Sequence, residues 1–95
     1  MEIEGLSNAY AGTHFHFRVS GGARPTRIDV YIDQIMVLSK DCDDPPCHEM
    51  IFIPNGVRGS QVRVTARDAH GNVEQKSFSV VDSDASSGGV MSASG

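Results

Sequence analysis

The sequence predicts an all-β chain, an antiparallel β-sandwich of about seven strands in two sheets, and three observations carry that expectation. Apolar side chains fall at every second position in successive short segments, as strands with one buried face require. Clusters of Gly, Pro, Asn and Asp interrupt these segments at intervals of about 8 to 12 residues, the spacing of a sandwich or small barrel. No window places apolar groups at helical spacing strongly enough to compete. At 95 residues there is room for a single core, and a hydrophobic content of 39% with four Phe, two Tyr and no Trp suffices for two thin packed layers.

A weak first strand is expected near Glu2 to Leu6. The segment 13–19 alternates strictly, with Phe15, Phe17 and Val19 on one face and His14, His16 and Arg18 on the other. Gly21, Gly22 and Pro25 then break the ladder. In 27–32, Ile28, Val30 and Ile32 face inward while Arg27, Asp29 and Tyr31 face out. Asp33-Gln34 is a candidate turn into a return strand, Ile35 to Leu38, whose unbroken apolar character calls for cover on both faces or a shielded edge. Ser39 to Pro46 is polar, carries prolines and is read as a loop before the short strand Met50 to Ile53. Pro54-Asn55-Gly56 ends that strand. In 61–67, Val62, Val64 and Ala66 point inward; Asp68 to Asn72 turns the chain; the last strand runs over about 73–81 with Phe78 and Val80 as inward anchors. The domain is therefore assigned to residues 1–81. Residues 82–95, rich in Ser, Gly and Ala, form a flexible tail or linker because their composition does not repay the entropy of ordering.

Charge and hydropathy exclude several partners. Twelve acidic against eight basic residues give a net charge of −4, with no cationic track for phosphates, so nucleic acid is not expected. No apolar run approaches the roughly 20 residues of a membrane-spanning helix, and no membrane insertion is expected. Met1 to Glu4 have neither the basic start nor the apolar stretch of a secretory signal, so export would depend on a signal in a longer parent protein.

The stretches Ile28-Asp29-Val30-Tyr31-Ile32-Asp33 and Val62-Arg63-Val64-Thr65-Ala66-Arg67-Asp68-Ala69-His70-Gly71-Asn72 resemble bacterial immunoglobulin-like domains, whose strands read V-x-V-Y-V-D-G and V-x-A-x-D-x-x-G-N. The resemblance covers nearly all of residues 3–81, and fibronectin type III modules share parts of it. It implies an immunoglobulin-like sandwich, repeated or appended in secreted and cell-surface proteins as a spacer, an adhesive unit or an accessory domain beside hydrolases. Gln34 departs from the pattern, which has Gly where a type I′ turn wants positive φ at both central residues. Asp68 agrees, and with Gly71 and Asn72 it implies a structural turn in which the carboxylate accepts backbone N–H groups.

Cys42 and Cys47 flank Asp43-Asp44-Pro45-Pro46, a stretch able to bring two Cα atoms within about 7 Å, and a local disulfide is expected. The alternatives are free thiols or a zinc or copper site, the latter disfavoured because His48 directly follows Cys47 and no second ligand pair is evident. Asp41, Asp43, Asp44 and His48 make up a candidate binding loop. With Glu49 the carboxylates offer oxygen for calcium, although their spacing matches no EF-hand. His14 and His16 share a strand face and have the chemistry to chelate or titrate together; a solvated sheet surface is the plainer reading.

No P-loop, dinucleotide fingerprint, nucleophile elbow or H-E-x-x-H signature is present, so neither catalysis nor a cofactor is expected. The expectation is a non-catalytic extracellular, cell-surface or periplasmic module that spaces or docks neighbouring domains of a larger parent. Two alternatives remain open. One is recognition of a carbohydrate or protein surface through loops 41–48 and 54–60, or through His14, His16, Tyr31, Arg63 and Arg67; the other is self-association along Ile35 to Leu38.

Overall fold

The computed structural model describes residues 1–5, 8–57 and 59–82. Eight strands follow one another: β1 (Glu2–Gly5), β2 (Asn8–Ala11), β3 (His14–Ser20), β4 (Thr26–Ile32), β5 (Ile35–Cys42), β6 (Cys47–Phe52), β7 (Gln61–Arg67) and β8 (Val73–Asp82), with a 3₁₀ turn at Asn55–Val57. They form a three-stranded sheet, β1-β3-β6, and a five-stranded sheet, β2-β8-β7-β4-β5. The all-β, two-sheet architecture agrees with the alternation in the sequence. The strand count exceeds seven by β2, and the sheets are not wholly antiparallel, because β2 lies parallel to β8. Its four residues, Asn-Ala-Tyr-Ala, are too few and too small for alternation to announce a strand, and long-range pairing supplies the hydrogen bonds. Leu6, the end of the expected first strand, and the tail over 83–95 lie outside the described residues; β8 itself includes Asp82.

Side chains from both inner faces meet in one cluster that includes Phe15, Phe17, Val19, Ile28, Val30, Val64 and Phe78. Phe15 lies 4.7 Å from Phe78 and 6.2 Å from Phe17, centroid to centroid. Gly5 faces these rings: a Cβ there would stand 3.1 Å from Phe15 and 3.3 Å from Phe78, so the missing side chain makes the space the aromatics fill. No buried side-chain nitrogen or oxygen among the described residues lacks a hydrogen-bond partner.

Two expectations fail at the β5/β6 flank. Ser39–Cys42 is strand rather than loop, and β6 begins at Cys47, leaving only 43–46 as a connection. Polar residues sit on both faces here because β5 and β6 are the edges of their sheets, where burial no longer enforces alternation. The apolar start of β5 is also not covered: Ile35 is 71% exposed and Met36 49%. A bulge between Val30 and Tyr31 in the β4–β5 pairing distorts this edge, and such irregularities discourage further strand addition. The β4–β5 turn keeps two residues, Ile32 facing Ile35, with Asp33 alone in the left-handed region at φ 54°, so Gly is not needed at Gln34.

Candidate functional site

The connections 21–25, 43–46 and 68–72 gather at one end of the molecule, where Asp68 joins the first to the last and Arg24 joins the first to the second. The Asp68 Oδ1 accepts from the backbone N–H groups of His70 (3.0 Å) and Asn72 (2.8 Å); its Oδ2 accepts from the Asn72 side-chain amide (3.0 Å) and the Ala23 N–H (3.2 Å). Gly71, at φ 85°, donates to the Asp68 carbonyl and completes the turn. The Asn72 side-chain amide is the main reason the Asp68 carboxyl titrates at about 2; burial opposes the shift, and the backbone N–H groups of Ala23, Asn72 and His70 reinforce it. Both carboxylate oxygens are thus engaged in tying β7–β8 to the β3–β4 connection.

The candidate binding loop is dispersed. Asp41 stands in β5 and meets Arg27 at 3.2 Å, an ion pair that raises the Arg27 pKa, while Asp44 meets Arg24 at 2.9 Å. Asp43 is exposed. His48 leaves the loop altogether: it lies on the outer face of β6, opposite Arg18. Among the described residues no group of three or more His, Cys, Asp or Glu side chains is placed to hold a metal ion. The Cys42–Cys47 disulfide is formed, with Cα atoms 6.2 Å apart, and it joins the end of β5 in the larger sheet to the start of β6 in the smaller. Beside it Lys40, on the inner-facing side of β5, reaches Glu49 of β6 at 3.1 Å. This second inter-sheet tie was not legible in the sequence, since it depends on how two edge strands face each other.

Two broad faces remain. On the five-stranded sheet, Arg63 sits 4.8 Å over the ring of Tyr31, and Arg27 lies opposite Arg67 with its charge shared by Asp29 and Asp41. On the three-stranded sheet the register builds outward rows: Phe52 with His14, Met50 with His16, and His48 with Arg18 and Glu4. A shallow depression of about 500 Å³ opens there, bordered by Glu4, His16, Arg18 and His48. His14 does not turn toward His16; its ring meets Phe52 edge-on at 5.4 Å. At the opposite end of the molecule from Asp68, Asp33 accepts from the Gln61 N–H, and its bond with the Ser60 hydroxyl is the main cause of a lowered carboxyl pKa. Arg58, in the expected loop 54–60, lies outside the described residues. Among those residues no helix is long and apolar enough to cross a membrane. Set against known proteins, the chain matches no family model, no curated protein and no solved structure.

Proposed function

We propose that this chain is a non-catalytic immunoglobulin-like module that spaces or docks neighbouring domains within a larger secreted or cell-surface bacterial protein. The observation that carries this reading is the path of the chain. The first edge is divided, β1 in the smaller sheet and β2 parallel to β8 in the larger, and the two sheets, β1-β3-β6 and β2-β8-β7-β4-β5, support an immunoglobulin-like reading. Met1 lies beside Gly21 and Gly22 at one end, whereas β8 finishes at Asp82, paired with Ala11, at the other. Entry and exit at opposite poles suit a bead in a string. A disulfide tying the two sheets supports an oxidising compartment, extracellular or periplasmic. Asp68 and Asp33, the two carboxylates whose pKa is lowered, hold turns, and neither lines the depression bordered by Glu4, His16, Arg18 and His48.

The test is titration of the folded chain with a panel of glycans and surface polymers, followed by isothermal calorimetry. A spacer gives no saturable response; saturable binding at micromolar affinity by one glycan overturns the spacer reading. The Tyr31–Arg63 stack on the open face of the larger sheet favours a second reading, recognition of a carbohydrate or protein surface there. Under that reading, Tyr31→Ala abolishes the glycan response.

A further inference from the structure

We propose that the outer face of the three-stranded sheet binds a single cuprous ion through His16, His48 and Met50, a property separate from any spacer role. The antiparallel register places His16 directly opposite Met50, and His48 stands two residues before Met50 on the same face of β6, diagonal to His16. Directly opposed side chains in such a pair have Cβ atoms about 5 Å apart and diagonal ones roughly 7 Å, spans that two imidazoles and a thioether bridge when they converge on one ion. The three residues border a depression of about 470 Å³ whose only other lining residue is Glu49. Each of the three is exposed, so the donors are open to solvent and to an arriving ion.

The neighbours are already engaged elsewhere. His14 is turned edge-on to Phe52, Arg18 is paired with Glu4 on the β1 side, and the Glu49 carboxylate is held by Lys40. The donors left are two imidazoles and one soft thioether sulfur, without an available carboxylate. Calcium and magnesium require oxygen, and cupric ion favours tetragonal nitrogen and oxygen sets, whereas a thioether beside imidazole selects the soft monovalent ion. Among the described residues no third His, Cys, Asp or Glu joins His16 and His48, so the third donor of the proposed set is the Met50 thioether. Both cysteines are in the disulfide and offer no competing thiolate.

Anaerobic titration of the whole chain with Cu(I), against bicinchoninate as the competing chromophore, tests the assignment. The expected result is uptake of a single equivalent, weakened at least about tenfold in Met50→Leu, His16→Gln and His48→Gln and unchanged in His14→Gln. NMR of the unsubstituted protein, with Ag(I) as a diamagnetic substitute, provides a readout independent of any variant: the Met50 methyl and the ring protons of His16 and His48 shift, and those of His70 do not. Failure to take up one equivalent, full affinity in Met50→Leu, or an unmoved Met50 methyl overturns the proposal. So does tighter binding of Zn(II) that ignores the Met50 substitution, which would mark a pair of imidazoles alone.

Discussion

Asp68 holds its turn through both carboxylate oxygens, and its charge matters because every donor it meets is an N–H. A carboxyl group whose pKa falls from 3.8 to about 2 on folding stabilises the fold at pH values above the unfolded value and loses that contribution as pH falls through the folded one. Asp33, also lowered, has the same sign. Acid unfolding followed by circular dichroism is therefore expected to steepen between about pH 4 and pH 2. In Asp68→Asn the side-chain amide presents N–H where an acceptor is needed, so the thermal midpoint at pH 7 falls by roughly 5 °C or more and the acid sensitivity flattens. An unchanged acid profile in that variant would show that the turn does not depend on the carboxylate. The type of residue needed here was readable from Asp68, Gly71 and Asn72. The Ala23 contact was not, because it joins residues 45 positions apart.

Among the strands, legibility follows burial. β3, β4 and β7 each bury one face along most of their length, so alternation marks them clearly. β5 and β6 are edges, and the Ser39–Cys42 stretch carries polar groups whichever way it faces. The His16–Met50–His48 arrangement was hidden for a related reason, since one-dimensional spacing pairs His16 with His14 while register pairs it with Met50. The charge at Lys40 has a second consequence at this scale. An inward-facing cation on an edge strand opposes the addition of another strand, and the exposed Ile35, Met36 and Val37 make that opposition useful. Replacing the pair together, Lys40→Val with Glu49→Val, is expected to leave the fold intact but to produce self-association at concentrations of order 100 µM, seen by light scattering, with Lys40→Arg remaining monomeric. A monomeric double variant would show that the bulge alone protects the edge.

At the scale of the whole molecule, one flank is tied across the sheets by the disulfide and by Lys40–Glu49. Closing so short a loop is worth about 2 kcal/mol in the chain-entropy account, and a domain of this size has only a modest reserve. Reduction is expected to lower the thermal midpoint by about 10 °C, measured by calorimetry with and without reductant. A shift below about 2 °C would mean that the flank holds without the covalent tie.

The divided first edge also sets how the molecule bears load. β2 and β8 run side by side in the same direction, Asn8 with Ser79 through Ala11 with Asp82, while Met1 and the last residue of β8 lie at opposite poles. Tension applied between those ends drags the two strands past each other lengthwise, so their hydrogen bonds resist together instead of opening one at a time. Single-molecule stretching is expected to record a distinct force peak as this pair slides, and a trace without such a peak would show that the pair carries no special share of the load.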